Sequence, residues 1–474
     1  MLFCSLQFFL FFAIVFVLYW TIPWHAARIW LLLAASFYFY ASWNHWLALL
    51  VFFSTTADYL LARGMDVSRS PRVRRFLWLT SLTGNLGLLV YFKYANFFLE
   101  SLSLGLQSIG HAAAIPTLRI ILPIGISFYT FEAISYTTDV YLGRLKAERS
   151  LSSLLLFITF FPHLVAGPIV RGRHFLSQTH RWKKWSWSRV NLGVQYILMG
   201  LFKKVAVADR MALFADPIFA NPDQYRTSAL WLGVIAYSMQ IYCDFSGYSD
   251  MAIGLAHMLG FKLPRNFKLP YLAANISEFW RRWHITLSSW LRDYLYIPLG
   301  GSLRGAPRTA INILITMSLG GLWHGANWTF VIWGAAHGIL LAIHRSFRSL
   351  CESKPRWRRF TAGRLGMAAG VGLTFSAVTL CWILFRSPGL GTAATMFIRL
   401  FGQHPGMTAP LQNTSLWSTV LALSICDVLA HSVKWKQWNR RLPAPVIGFG
   451  YAAMLTLIMV LAPEPGRAFI YFQF

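Results

Sequence analysis

Residues 308–345 read RTAINILITMSLGGLWHGANWTFVIWGAAHGILLAIHR. Two apolar runs, INILITMSLGGLW and ANWTFVIWGAAHGILLAI, flank a single histidine, and both outer ends close on a basic residue, Arg308 and Arg345. Arginine and lysine mark the cytosolic ends of membrane segments. The pattern therefore predicts a helical hairpin that enters and leaves a bilayer from one side, with His324 at its far turn. As a helix, the arm from Thr309 to Trp323 is about 22 Å long at 1.5 Å per residue, short of a hydrocarbon core about 30 Å thick. His324 is predicted to lie within the membrane rather than in the outer solvent.

The rest of the chain belongs to the same medium. Of 474 residues, 56% are hydrophobic and only 12% charged, with a mean hydropathy of +0.49, which excludes an ordinary soluble domain. Apolar stretches of near-spanning length recur at Leu2 to Ile22, Leu77 to Phe98, Ile120 to Leu142, Leu230 to Leu259, Leu365 to Phe385 and Val446 to Leu461. Counting half-length pieces, roughly eleven to thirteen transmembrane or re-entrant helices are predicted, an all-α polytopic protein in one integral-membrane domain over residues 1–474. The first stretch has no basic n-region and no small-residue cleavage site before the next apolar run, so it is read as a retained helix, not a signal peptide.

The formal charge of +27 comes from 43 Lys and Arg against 16 Asp and Glu. The cations fall between the apolar runs, in SRSPRVRR, RGRHFLSQTHRWKKWSWSR, RSLCESKPRWRR and KWKQWNRR. They read as positive-inside loops and not as a nucleic-acid surface. A phosphate-rich cytosolic substrate favours the same surface. Cys4, Cys243, Cys351, Cys381 and Cys426 are scattered without paired spacing, which reads as core thiols, with neither a disulfide frame nor a metal site.

Two segments break the helical pattern. LLLFITFFPHLVAGPIV, residues 154–170, contains Pro162, Gly167 and Pro168 and has basic flanks on both sides, which predicts a broken or re-entrant hairpin. Residues 261–308 form the longest polar interruption. There Trp280, His284 and Ser288 recur at i, i+4 and i+8, with Arg281, Arg282, Arg292 and Asp293 on a charged side. This predicts a helix lying at the cytosolic interface, its aromatic residues at headgroup level.

An ionisable side chain inside a bilayer is costly unless it is paired or faces a wet cavity, which makes His324 a functional candidate. An imidazole that simply bonds to a neighbouring helix fits its placement equally. Gly320, Gly321 and Gly325 permit tight turns and close approach. His337, in AAHG, reads as a packing residue with one interhelical hydrogen bond, and His163 is similar. Asp244 and Asp250 can orient an imidazole, bind a substrate hydroxyl or pair with buried cations. A histidine titrating near neutrality can take a proton from an attacking hydroxyl. No nucleophile elbow, P-loop, zinc-protease motif or dinucleotide fingerprint accompanies it, which weighs against soluble-type hydrolases and nucleotide-driven pumps.

At these residues the chain resembles the membrane-bound O-acyltransferase (MBOAT) family, and within it the bacterial branch that O-acetylates alginate. The resemblance is carried by LPIGISFYTFEAISYTTDVYLGR, FFPHLVAGPIVR, YCDFSGYSDMAIGLAHMLGFKLPRNFKLPY, EFWRRWHITLSSWLRDYLYIPLGGS, GGLWHGANWTFVIWGAAHG, MLFCSLQFFLFF and the FIYFQF ending. It implies an MBOAT-type bundle around an intramembrane funnel in the bacterial inner membrane. His324 is then the catalytic histidine and His284 the second polar position of the active site. Substrate binding is expected of Trp323, Asn327 and Asp244, with Arg281, Arg282 and Arg292 taking the phosphates of a cytosolic donor. That donor is acetyl-CoA or another acyl thioester, with no tightly bound cofactor. A periplasmic acetyltransferase is the expected relay partner, and a secreted polysaccharide the final acceptor. Two other classes use the same spans, a secondary transporter or channel and a non-catalytic assembly subunit. The transporter reading explains poorly why the densest polar and aromatic material sits in one segment leading to a single histidine, and an assembly subunit need not keep His324 and His284 together.

The basic clusters fix an orientation. Cysteine labelling is expected to find the loops at residues 63–75 and 345–359 in the cytosol and the N-terminus outside. Labelling of a cysteine at position 70 from the periplasmic face of intact cells reverses that orientation.

Overall fold

Serine and asparagine side chains start many of the helices by accepting amide protons that the first helical turn leaves unpaired. Ser5 opens α1 (Leu6–Thr21), Asn44 opens α3 (His45–Val67) and Ser70, followed by Pro71, opens α4 (Pro71–Leu89). The computed structural model describes residues 3–111, 115–165, 167–410, 418, 421, 442–462 and 469. Among them the chain is helical, with one isolated β-bridge, Tyr225 to Met407. Cys426, the KWKQWNRR cluster and all of the FIYFQF ending except Phe469 lie outside the described residues.

The chain divides into two compact units, Met1–Ile197 with Met251–Pro264, and Leu198–Asp250 with Arg265–Phe474. In the first, α2 (His25–Ala41), α3, α4 and α6 (Ile126–Tyr141) follow α1, with α5 (Ala95–Ser108) between α4 and α6. Apolar side chains alone do not hold them. The buried Asp58 carboxylate accepts from Ser81 Oγ at 2.6 Å and from Asn85 Nδ2 at 2.8 Å, which joins α3 to α4. The Leu77 to Phe98 stretch is one continuous path with a π-helical turn at Val90–Tyr94.

The break predicted in residues 154–170 is present. Helix α7 (Leu151–Thr159) stops before Pro162, a turn runs through Val165, and α8 begins at Gly172 (Gly172–Thr179). Backbone released from a helix must find other partners. Here Glu132 of α6 accepts the Val170 amide at 2.8 Å, and His163 Nε2 stands 3.3 Å from the same carboxylate while donating to the Phe157 carbonyl at 3.1 Å. Helix α9 (Trp187–Leu201) follows and passes into the second unit.

The second unit contains α10 (Asp209–Ala220), most of α11 (Thr227–Met258), α12 (Ile276–Arg282), α13 (Ile285–Leu291), α14 (Gly305–His324), α15 (Trp328–Ser353), α16 (Pro355–Ala362), α17 (Arg364–Arg386), α18 (Leu390–Leu400) and α19 (Ala444–Leu461). The hairpin predicted around His324 is α14 and α15, with His324 as the last helical residue of the first arm. Its arms meet backbone to backbone. A Cβ on Gly321 would collide with the Phe330 carbonyl oxygen, and one on Gly334 with that of Met317.

Four of the described helices are long and apolar enough to cross a membrane: α3, α15, α17 and α19. Other expected segments, α1 among them, are helical but shorter or less apolar.

The continuous interfacial helix expected through Trp280, His284 and Ser288 is instead two short helices. Helix α12 ends at Arg282, and His284 takes a left-handed conformation, φ 41° and ψ 53°, before α13 starts. The cause is the incoming chain at residues 266–268. Lys268 N donates to the Arg282 carbonyl and Ile285 N to the Asn266 carbonyl, both at 2.9 Å, so groups that a continuous helix would pair internally are taken by another segment. His284 and Trp280 are consequently buried in protein.

Because the α14–α15 contact leaves no room for a methyl group, Gly321→Ala or Gly334→Ala is expected to lower stability by at least the ~1–3 kcal/mol of core overpacking. The measurement is the detergent-solubilised Tm. Gly372→Ala in α17, where a Cβ meets nothing within 4 Å, serves as the control, with a Tm no lower than that of the unaltered protein.

Candidate active site

His284 and His324 come from opposite kinds of helix end, the start of α13 and the end of α14. Their ring centroids lie 6.3 Å apart, with relative exposures of 0% and 4%. An aromatic wall surrounds them. Trp333, Phe385 and Trp323 stand 5.2, 5.2 and 5.0 Å from the His324 ring, and Phe245 meets the edge of His284 at 4.6 Å. Behind Trp333, Trp382 stacks at 5.7 Å. These large rings exclude bulk water, which strengthens every electrostatic interaction in the site.

The strained turn at His284 is fixed by one side chain. Asn266 Oδ1 accepts from His284 Nδ1 at 3.2 Å, from Thr286 Oγ1 at 2.9 Å and from Thr286 N at 3.3 Å. A left-handed non-glycine residue costs about 1–3 kcal/mol and persists only where its surroundings over-determine it. The carboxamide oxygen cannot donate, so the proton sits on Nδ1 and Nε2 of His284 presents a lone pair. Among the described residues that Nε2 has no hydrogen-bond partner. Burial pushes the His284 pKa down to about 3, so the ring stays neutral at physiological pH.

The other expected site residues divide. Trp323 adjoins both histidine rings. Asn327 caps α15 by accepting the Thr329 amide and donates from Nδ2 to the Pro388 carbonyl at 3.0 Å, so its side chain shapes the turn beside His324. Asp244 belongs to a different cluster, paired with Lys204 at 2.6 Å, while Lys204 also reaches Asp209 at 2.8 Å and Lys203 pairs with Asp250 at 3.0 Å. Of the three readings of Asp244 and Asp250, pairing with buried cations is the arrangement seen. Arg282 is half-buried and held by Glu278 at 2.5 Å, whereas Arg281 and Arg292 are exposed, the latter pairing with Asp293 at 2.8 Å.

His337 departs from expectation. Instead of one interhelical hydrogen bond, both of its nitrogens are without a hydrogen-bond partner among the described residues. It lies one turn along α15 from Trp333, with ring centroids 4.8 Å apart. Asn266, Trp333, Trp382 and Phe385 were not candidates in the sequence. The spacing of Trp333 from His337 and of Trp382 from Phe385 marks helix faces but gives no sign that both faces converge on His324.

The family match makes the protein a multi-pass membrane enzyme. The chain belongs to the membrane-bound O-acyltransferase family, whose model matches residues 9–384, and is an O-acyltransferase. It is 43% identical over 476 residues to the probable alginate O-acetylase AlgI of Pseudomonas putida, covering 94% of each chain. The peptidoglycan O-acetyltransferase of Helicobacter pylori is 38% identical over 79% of this chain and 74% of its own. The teichoic acid D-alanyltransferase of Bacillus subtilis is 28% identical over 55% and 68%. This membership displaces the transporter and assembly-subunit readings.

Asn266→Ala removes the acceptor shared by His284 and Thr286. It is expected to cost about 1–3 kcal/mol, as for other buried groups stripped of their partner. The fall in detergent Tm measures it.

Proposed function

We propose that this protein transfers acetyl groups from a cytosolic acyl thioester, across a bacterial inner membrane, for the O-acetylation of alginate or a related secreted polysaccharide. The observation that carries the reading is the buried histidine pair at the turn of the α14–α15 hairpin, His284 and His324 with ring centroids 6.3 Å apart. The acceptor class is drawn from the names of the relatives, a probable alginate O-acetylase and a peptidoglycan O-acetyltransferase. A periplasmic acetyltransferase that relays the group to the polymer completes the path.

In this reading His324 is the general base. It takes the proton of the acceptor hydroxyl as that oxygen attacks the thioester carbonyl. The new C–O bond forms, the C–S bond breaks, and the proton passes from the imidazolium to the departing thiolate. His284 contributes an acceptor, because its Nδ1 proton is committed to Asn266. Its Nε2 lone pair suits the acceptor hydroxyl or the transient His324 cation, and does not serve an oxyanion. Of the three arginines assigned to the donor phosphates, Arg281 and Arg292 have the exposure to meet them, whereas Arg282 is half-buried and holds Glu278.

A general base contributes about 10²- to 10⁴-fold to a rate. His324→Gln retains hydrogen bonding but cannot titrate. In a deletion strain, the variant is expected to insert at wild-type levels while acetyl esters on the secreted polymer fall by that factor. Wild-type acetylation by His324→Gln removes proton transfer from this residue.

A further inference from the structure

Below His324 in the second unit, three neighbouring side chains carry polar atoms that the described residues leave without hydrogen bonds. They are Trp280 Nε1, Trp333 Nε1 and both nitrogens of His337. All three residues are buried, His337 at 0% exposure. Their rings form one cluster, with His337 4.8 Å from Trp333 and 5.2 Å from Trp280, and Trp280 5.9 Å from Trp333. A buried polar group without a partner is destabilising, so four in one cluster call for an occupant that bonds to them.

The cluster has a direction. Trp280 stands against His337, His337 against Trp333, and Trp333 touches His324 at 5.2 Å. A line of side chains thus runs from Trp280, past the unpartnered nitrogens, to the candidate base. The hydrogen-bonding pattern is specific. Two indole N–H groups donate only, and a neutral imidazole offers one donor and one acceptor. An amide, with a carbonyl that accepts and an N–H that donates, satisfies both kinds at once. A thioester donor carried by coenzyme A or by a carrier protein has amides in the arm between its phosphate and its sulfur.

We propose that His337, with the indoles of Trp280 and Trp333, is a subsite that hydrogen-bonds an amide of the donor arm and so sets the thioester against His324. The inference rests on the acyl-transfer reading above. It assigns His337 to donor binding rather than to proton transfer, so its signature lies in KM.

The test uses the full-length protein in detergent and compares acetyl-CoA with an amide-free acetyl thioester of an alkyl thiol. Wild type is expected to favour acetyl-CoA. His337→Phe keeps the ring in its aromatic box without its nitrogens, and is expected to raise KM for acetyl-CoA by about tenfold, the loss of one buried hydrogen bond. Its kcat and its use of the amide-free thioester are expected to stay within about threefold, and His337→Gln, which restores a donor and an acceptor, is expected to recover part of the KM. Repeating the pair with an acetylated carrier protein assigns the source of the arm, since the rise follows whichever donor wild type uses. Equal losses with both thioesters, or an unchanged KM in a folded His337→Phe protein, overturn the subsite and leave the acyl-transfer reading standing. A wild-type protein that uses no thioester overturns both.

Discussion

The backbone contact between α14 and α15 at Gly321 and Gly334 governs the site. Two helices that touch through their main chains can differ little in spacing or register, because the carbonyls of Phe330 and Met317 occupy the places where side chains would begin. His324 at the end of one arm and Trp333 on the other are therefore held by the same contact. Everything described around His324, from the wall of rings to the capped turn at Asn327, is referred to that pair of helices.

The second fixed point works by the opposite means. His284 is placed by an interruption of helix, where a polar segment donates one backbone hydrogen bond into the gap and accepts another, and one carboxamide oxygen gathers three donors. A left-handed backbone and a single tautomer follow together. The fold thus presents two imidazoles in different settings, one at the turn of the α14–α15 hairpin and one whose Nδ1 proton is already spent.

The hairpin, its turn residue and the break near Pro162 were all legible in the sequence, because each rests on a local signal: apolar length, glycine between aromatic residues, proline after an apolar run. The kink at His284 was not. The helical spacing of Trp280, His284 and Ser288 is real, yet bonds to residues 266–268 override it, and such tertiary competition leaves no trace in a periodicity. Asp244 looked like a site residue for the same reason that it is an ion-pair partner, since an isolated carboxylate in an apolar run says only that it must be paired. The unpartnered nitrogens of His337 were hidden too, because small neighbours in AAHG imply close packing but not the absence of a hydrogen bond.

The Glu132 carboxylate also bears on how the chain assembles. It precedes the Val170 amide that it accepts by 38 residues, and it faces His163 in the turn between α7 and α8. A segment interrupted by Pro162 and Pro168 carries main-chain groups that no lipid can satisfy. Synthesis from the N-terminus delivers α6, with its acceptor, before the segment that needs it. For this segment the order of residues in the chain is therefore also a workable order of membrane entry, the Val170 amide arriving after its acceptor.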